Sequence, residues 1–398
     1  MLTGQNGILN RTREAKEKTL SAQQEENSIL TSYENQISNY VEIDWEQAKA
    51  NAKAPEEQKE ERNNGVIGIG TDGKTVNMDL WEYTKLDGGT YGLNDQESLT
   101  DTGTKTTGYI GKIVDGKIEG FVPKYIKGKN DNDFFEVTNM AYTFFNNKEL
   151  KEAPELPDEV TNIRALFNSC ENLIKVYNLP QKAVNMYGTF ANCKMLEKVP
   201  QIPNNVVNMH GTFLGCTSIT KAPVIPESVV NMSITFSNCI NITEAPIIPE
   251  SVTNMYSTFS GCTNLIQAPT IPSSVTNMRG TFGGCINLSQ APIIPENVTD
   301  MYGTFNGCIN LSKAPTIPSS VTVLCATFKG CSKLQSEIEI NANVTGVQLG
   351  EESYNNIDYN NCLLNACTEE GLTLKVTGTC TVIDKIIENA ANPNITKK

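Results

Sequence analysis

The sequence predicts a repeat solenoid of short parallel strands and helical or 3-10 turns, preceded by an N-terminal helix and a small β unit. Two observations support this fold class. Five columns of similar residues recur every 23 residues through the middle of the 398-residue chain. In addition, fixed periods of about 20–50 residues are the signature of solenoids, propellers and arrays. A 23-residue unit is too short for a four-stranded propeller blade, so a solenoid coil is the better match.

The five columns are a Phe, a Cys, a Met, a Leu or Ile three residues after the Cys, and a Pro. The Phe column runs from Phe144 to Phe328 and marks nine units. Because one unit cannot bury its apolar side alone, stacked neighbours must build a continuous core. We therefore expect a solenoid of nine 23-residue units over residues 137–334.

Each unit has the approximate consensus x-A-P-x-I-P-x-S-V-T-N-M-x-G-T-F-x-G-C-x-N-L. The segment Ser-Val-Thr-Asn-Met predicts a short strand in which Val and Met are buried. Thr-Phe-x-Gly-Cys predicts a helical or 3-10 turn. Ala-Pro-x-Ile-Pro predicts a second extended stretch, in which the prolines limit regular hydrogen bonding.

The cysteine column has two interpretations. Stacked strands place neighbouring residues about 4.8 Å apart, which is close enough for disulfide bonds. However, an unbroken column of identical neighbours defines no pairing, and reduced cysteine behaves as a small buried hydrophobe. We favour a structural ladder of buried thiols and expect no cofactor and no metal, since ligands in a line do not form a tetrahedron. The ladder is Cys170, Cys193, Cys216, Cys239, Cys262, Cys285, Cys308 and Cys331.

The unit I-P-S-S-V-T-N-M-R-G-T-F-G-G-C-I-N-L at 271–288 resembles the BspA-type leucine-rich repeats of bacterial surface proteins. Thr replaces the usual Ala before Phe, and Met replaces the usual Ile. Asn147 replaces the cysteine of the first unit, and Tyr177 breaks the Ala-Pro pair of the second. The resemblance implies a curved, leucine-rich-repeat-like solenoid for adhesion or recognition at the cell surface, with no catalytic residues.

The N-terminal region carries a second resemblance. Leu2–Leu9 followed by Ala15–Thr19 is similar to the segment just after the membrane helix of pilin-like proteins from Gram-positive anaerobes. We expect a pilin-like helical stem over 1–53 and a charged linker over 54–64. The resemblance implies a cell-surface protein capable of pilus-like assembly. It also implies membrane contact only through an apolar helix upstream of Met1.

The segments on either side of the solenoid differ from it in pattern. Residues 65–136 alternate short apolar runs with Asp-Gly-Lys turn signals, which predicts a small antiparallel β unit that caps the array. Residues 335–398 lose the period and are expected to form the C-terminal cap. Within this cap we expect a strand at Leu372–Val376 and a helix at Ile383–Ala391.

Charge and histidine content exclude several function classes. The net charge is −13, which disfavours nucleic acid and anionic lipid as partners. The repeats 137–334 have equal numbers of basic and acidic residues, which suits protein or carbohydrate ligands better than polyanions. The chain has a single histidine, His210, which nearly excludes the chemistries built on His, such as Ser-His-Asp triads and poly-His zinc sites.

The candidate binding residues follow each Met of the third column. If each Met points inward, the next residue points outward. This outward column reads Ala141, Arg164, Tyr187, His210, Ser233, Tyr256, Arg279, Tyr302 and Cys325. Aromatic and guanidinium side chains are enriched at binding hot spots. We predict a binding line at Tyr187, His210, Tyr256, Arg279 and Tyr302, with ordinary solvated positions as the alternative.

A second outward column lies between the two prolines of each unit, and its central members Val224, Ile247 and Ile293 are apolar. They predict an exposed interaction patch, unless a neighbouring coil or cap covers them. Three function hypotheses follow. The first is a non-enzymatic surface binding protein. The second is a minor-pilin-like subunit with the solenoid as a rigid spacer. The third is a glycosidase, disfavoured because the acidic column Glu227, Glu250 and Glu296 is interrupted by serines.

Overall fold

The structure is a computed structural model that describes residues 66–71, 73–85, 91–92, 108–128, 134–324 and 326–334. Three further strands are described at 338–341, 373–377 and 396–397. The predicted stem at 1–53, the linker at 54–64 and the final helix at 383–391 lie outside the described residues. No helix in the described ranges is long and apolar enough to cross a bilayer.

In the part of the chain that the structure describes, eight short strands and one 3-10 helix, Met78–Leu80, precede the repeats. The strands are β1 Ile67–Gly70, β2 Thr75–Val76, β3 Thr84–Lys85, β4 Tyr91–Gly92, β5 Ile113–Val114, β6 Lys117–Ile118, β7 Pro123–Lys127 and β8 Phe135–Asn139. Six of them form one sheet in the order β2-β1-β7-β8-β4-β3. All of its pairs are antiparallel except β4 with β8.

The remaining two strands, β5 and β6, form a hairpin. Its turn residues Asp115 and Gly116 have φ values of 52° and 86°. An Asp-Gly pair readily adopts this left-handed conformation, which matches the twist of the two strands that it joins. The hairpin is therefore where the Asp-Gly-Lys turn signal placed it.

The sheet closes the N-terminal end of the repeat core. Trp81 and Tyr109 are buried, and their ring centroids lie 6.2 and 5.9 Å from that of Phe144, the first member of the Phe column. The last residue of β8, Asn139, forms a parallel bridge to Asn162 in the next coil. Strand β8 thus runs from the sheet into the first rung of the solenoid.

The repeats are held by single-residue parallel bridges rather than by the short strands we expected. One bridge column links the residue before each position of the Met column, an Asn in most coils, to its counterpart, for example Asn208 to Asn231. A second column links positions two residues before the first proline of each unit, for example Gln267 to Gln290. Proline has no N–H to donate, so the ladder does not extend along the Ala-Pro-x-Ile-Pro stretch.

The helical or 3-10 turns expected inside the repeats were also wrong. No residue in 140–324 or 326–334 is helical. Each coil has two residues with positive φ, such as Gly188 (59°) and Asn192 (59°), and a right-handed helix cannot contain them. The N–H groups of Gly188 and Phe190 instead bond to the carbonyls of the next coil at 2.8 and 2.9 Å.

The core is a set of fully buried columns. The nine Phe rings stack in register with centroids 5.5–5.8 Å apart and interplanar angles of 5–11°. The Met, Cys and Leu or Ile columns lie beside them and are likewise buried. Each coil therefore covers the apolar side of the one before it, as stacking requires.

Buried threonines before the Phe residues join successive coils. Thr212 Oγ1, for example, donates to the Met186 carbonyl of the preceding coil and to the Met209 carbonyl of its own coil, both at 2.8 Å. A buried hydroxyl costs free energy unless it is hydrogen-bonded. The substitution of Thr for Ala therefore adds a polar contact between coils inside the core.

Three strands follow the last described repeat residues. They are β9 Ile338–Asn341, β10 Thr373–Thr377 and β11 Thr396–Lys397, and they form a parallel sheet in the order β11-β10-β9. Strand β10 confirms the strand predicted at Leu372–Val376 to within one residue. Cys362, Cys367 and Cys380 lie outside the described residues.

Candidate binding surface

The bridge-forming Asn of each coil fixes the backbone of the outward column. Asn185 Oδ1 accepts the N–H of Tyr187 at 3.0 Å, and Asn254 does the same for Tyr256 at 2.9 Å. Asp300 replaces Asn in one coil and accepts the N–H of Tyr302 at 2.8 Å. Sequence reasoning missed this role, although Asn and Asp commonly bond the backbone two residues on.

The five predicted binding residues differ in how deeply they are buried. Tyr256 and Tyr302 are 37% and 38% exposed, whereas Tyr187, His210 and Arg279 are half-buried. The outward prediction was wrong for two small members of the column, Ala141 and Ser233, which are buried. Cys325 lies outside the described residues.

Ser233 is buried beneath a larger neighbour from the preceding coil. His210 Nδ1 lies 2.6 Å from Ser233 Oγ, so the imidazole leans onto the serine. Because the side chains of one column are about 4.8 Å apart, a large residue readily covers a small one beside it. Pointing outward from the coil is therefore not sufficient for exposure.

The large side chains of the line stack on one another. The Arg164 guanidinium carbon lies 4.3 Å from the centroid of the Tyr187 ring, and this ring stacks on His210 at 4.6 Å and 12°. The Arg279 guanidinium lies 4.3 Å from the centroid of the Tyr302 ring. The Tyr187 ring is covered on both faces and the Tyr302 ring on one, so ring edges and hydroxyl groups are the parts offered to a partner.

His210 is electrically neutral at pH 7. Burial disfavours the charged imidazolium and lowers the pKa of His210 below its ordinary value of 6.5, and the nearby positive charge of Arg164 lowers it further. The side chain therefore contributes hydrogen bonding and stacking to the line, rather than charge.

The second outward column presents an apolar strip formed by Val224, Ile247 and Ile293. These side chains are 85%, 90% and 90% exposed. The alternative in which a neighbouring coil or cap covers them is therefore wrong for the described structure. Single exposed apolar residues are common on proteins, but these three share one edge of the solenoid within four consecutive coils, where Thr270 separates Ile247 from Ile293.

A groove that sequence reasoning missed lies where the N-terminal sheet meets the first two repeats. Glu152 Oε2 accepts the Tyr177 hydroxyl at 2.6 Å and pairs with Lys117 Nζ at 3.1 Å. The hydrogen bond from Tyr177 and the contact with Lys117 lower the pKa of the Glu152 carboxyl. The sequence feature that could have indicated this groove is Tyr177, which departs from the Ala-Pro consensus.

The cysteine ladder offers no reactive group to this surface. All eight ladder thiols are buried, and each donates its S–H to a Phe carbonyl of the preceding coil at 2.9–3.1 Å. Burial raises the pKa of Cys170, Cys239 and Cys308 to about 12. Among the described residues, no cluster of three or more His, Cys, Asp or Glu could hold a metal ion.

Comparison with known proteins agrees with the repeat architecture. The family described as BspA type leucine rich repeat region matches in six copies over residues 138–266, 213–335 and 257–368. Together these matches span more than half of the chain. No curated protein sequence matches it.

Three solved structures are similar to the chain. A leucine-rich repeat protein of T. pallidum is 21% identical, with 52% of this chain and 88% of that chain covered and a TM-score of 0.40. A leucine-rich repeat protein from Bacteroides ovatus ATCC 8483 is 18% identical, with 69% and 81% covered and a TM-score of 0.38. The pneumococcal vaccine antigen PcpA is 18% identical, with 63% and 68% covered and a TM-score of 0.40.

Proposed function

Because the chain belongs to the BspA-type leucine-rich repeat family, we propose that it is a non-enzymatic bacterial surface protein whose solenoid binds a protein or carbohydrate. The resemblance of residues 2–19 to pilin-like proteins supports display at the cell surface, with anchoring by an apolar helix upstream of Met1. In this role the solenoid binds its ligand without transforming it.

The observation that carries the proposal is the rigid line Tyr187, His210, Tyr256, Arg279 and Tyr302. The bridge ladder fixes the backbone of the line, and stacking holds Tyr187 against His210 and Arg279 against Tyr302 before any partner arrives. Little conformational entropy is therefore lost when a partner docks, which favours affinity. Tyr and Arg are also the residue types most often found at interface hot spots.

The test compares wild type with the double variant Tyr256→Ala and Arg279→Ala on protein and glycan arrays. A matched control carries Gln290→Ala and Lys313→Ala, two exposed residues at the second bridge column. We expect the first variant to lose the targets of the wild type and the control to keep them, with unfolding midpoints close to that of the wild type. Equal binding by all three proteins would show that these five residues are not the binding surface.

The same arrays test the alternative of a minor-pilin-like subunit in which the solenoid is a rigid spacer. The alternative is supported by the resemblance of the N-terminal residues. A variant that begins at residue 63 should keep the array targets if the solenoid is the binding part. Loss of all targets on this truncation would favour the spacer interpretation.

A further inference from the structure

The charges of the solenoid are unevenly distributed between the two sides of each coil. We define the ladder face as the nine-residue segments that run from two residues before each Met-column position to six residues after it. They are 138–146, 161–169, 184–192, 207–215, 230–238, 253–261, 276–284, 299–307 and 322–330. This face contains Arg164, Arg279 and Lys329 but only one acidic residue, Asp300. The remaining repeat residues have nine basic and eleven acidic side chains, so a neutral array has a basic ladder face. The expectation against polyanions, drawn from the neutral total, therefore does not hold for this face.

The two arginines of this face have no anionic partner in the described part of the chain. Their guanidinium groups lie 4.3 Å from the centroids of the Tyr187 and Tyr302 rings, and none of the ion pairs there includes an arginine. The single acid, Asp300, lies beside Tyr302 and accepts the backbone N–H of that residue. Stacking therefore holds each guanidinium in place while its N–H donors remain available.

A guanidinium held in this way is suited to a carboxylate. Its planar fork of N–H donors matches the two carboxylate oxygens, and stacking on an aromatic ring leaves the edge of the fork available. Arg164 and Arg279 occupy equivalent positions five coils apart, or roughly 24 Å at about 4.8 Å per coil. The Tyr187 and Tyr256 hydroxyls and the neutral His210 imidazole add hydrogen-bonding groups on three of the four coils between them.

The spacing of these groups selects a linear polymer with a matching repeat. An extended peptide presents side chains to one face every ~6.7 Å, which is out of step with coils about 4.8 Å apart. A linear polysaccharide advances by about one coil with each sugar ring, so successive rings could meet successive coils. We propose that the ladder face binds a linear polysaccharide of uronic acid type, with carboxylates on Arg164 and Arg279. This inference rests on the proposed role of the line as the binding surface.

The experiment measures the affinity of the full chain for a β-1,4-linked oligouronate by calorimetry. The oligomer should have about eight rings, enough to span five coils of about 4.8 Å. The matched probe is the same oligomer with its carboxylates reduced to alcohols. We expect the oligouronate to bind at least tenfold more tightly than the reduced oligomer, and its affinity to fall as salt is raised.

Variants then assign the carboxylate contacts. Arg164→Gln and Arg279→Gln should each weaken oligouronate binding about tenfold, the usual scale for losing one charge-assisted contact. Binding of the reduced oligomer should fall less than about threefold, because each variant then loses only a hydrogen bond to an uncharged acceptor. Lys313→Gln removes one positive charge outside the ladder face and should change the affinity less than twofold. Equal losses in all three variants would indicate general charge attraction and would overturn the inference.

Other outcomes separate this inference from the proposed function. If the reduced oligomer binds as tightly as the oligouronate and Tyr256→Ala abolishes both, the line binds glycans but the carboxylate assignment is wrong. If poly-glutamate binds equally well with the same arginine dependence, the polysaccharide assignment is wrong. If the wild type does not bind the oligouronate, the inference fails, whereas the array experiment still decides the proposed function.

Discussion

Met255 and Tyr256 are neighbours in the chain but belong to two very different columns. The Met column is fully buried and nearly uniform, because identical side chains stack on one another through the core. The Tyr256 column contains Ala, Arg, Tyr, His, Ser and Cys, and its members Arg164, Tyr187 and His210 stack on unlike partners. Stacking thus constrains both columns, but only the Met column requires identical residues. Any specificity for a ligand must therefore come from the residues of the Tyr256 column.

The largest difference between the buried columns and the outward column should appear in the reactivity of the buried ladder thiols. Burial raises the pKa of Cys239 from 9.0 to about 12, which lowers its thiolate fraction about a thousandfold at neutral pH. We expect alkylating reagents to leave all eight ladder cysteines unmodified in the native protein and to label them in denaturant. Peptide mapping by mass spectrometry distinguishes these eight from the remaining cysteines. Rapid native labelling of most ladder cysteines would show that the inner columns are accessible.

Removal of one ring from each side compares their contributions to stability. Phe259→Ala opens a cavity between two stacked rings and should lower the free energy of unfolding by about 3–5 kcal/mol. Tyr256→Ala, three residues earlier and partly exposed, should cost less than about 1 kcal/mol. Denaturant unfolding measures both variants. Similar losses would mean that the outward line contributes to the core.

The buried hydroxyls provide a finer comparison of the same kind. Thr258→Val keeps the shape but removes the 2.9 Å hydrogen bond from its hydroxyl to the Met232 carbonyl. This carbonyl still accepts from Thr235, so we expect a loss of about 0.5–1.5 kcal/mol, the net value of one hydrogen bond. The control is Thr253→Val, an exposed position of the same coil, which should change stability by less than about 0.5 kcal/mol. Equal denaturant midpoints for the two variants would argue against hydrogen bonding between coils by these threonines.

The smallest expected effect is the loss of folding stability in acid that comes from His210 in the binding line. The pKa of His210 is lower in the folded protein than its ordinary 6.5, so the folded state binds fewer protons than the unfolded state. The stability contributed by neutral His210 should be complete above pH 6.5 and should be lost progressively as the pH falls below it. His210→Gln removes this contribution. Thermal unfolding of both proteins from about pH 7 to about pH 5 should show a steeper decline for the wild type.

The sequence predicted which residues are buried in the solenoid core, because the 23-residue period of the apolar columns is enough to identify them. Phe144 to Phe328 and the cysteine ladder all occupy the core positions that the columns indicated. The turn geometry was harder to predict. Gly188 and Gly211 mark a left-handed position, but Ile234 and Ser257 occupy the same position with φ values of 58° and 50°. Without a constant glycine, the left-handed turns were taken for helix.

The candidate surface was only partly predictable for a related reason. Alternation along a strand indicates direction but not the size of the neighbours, so it could not reveal that Ser233 is covered by His210. The 23-residue period places Arg164 in the coil beside Tyr187, but it does not show that the guanidinium packs on the face of the ring. The Asn column was visible as a constant feature, but its role depends on a backbone turn that the sequence does not display.

The bridge ladder has a consequence for how such a gene can change. Asn208 meets Asn231 as Asn254 meets Asn277, so one coil is joined to the next by the same contacts throughout the array. Unequal recombination that removes or duplicates one 23-residue unit would therefore leave complementary coils on both sides of the junction. The copy number of the unit would then set the length of the ladder face in steps of about 4.8 Å. Selection could adjust the reach of the protein without redesigning its core.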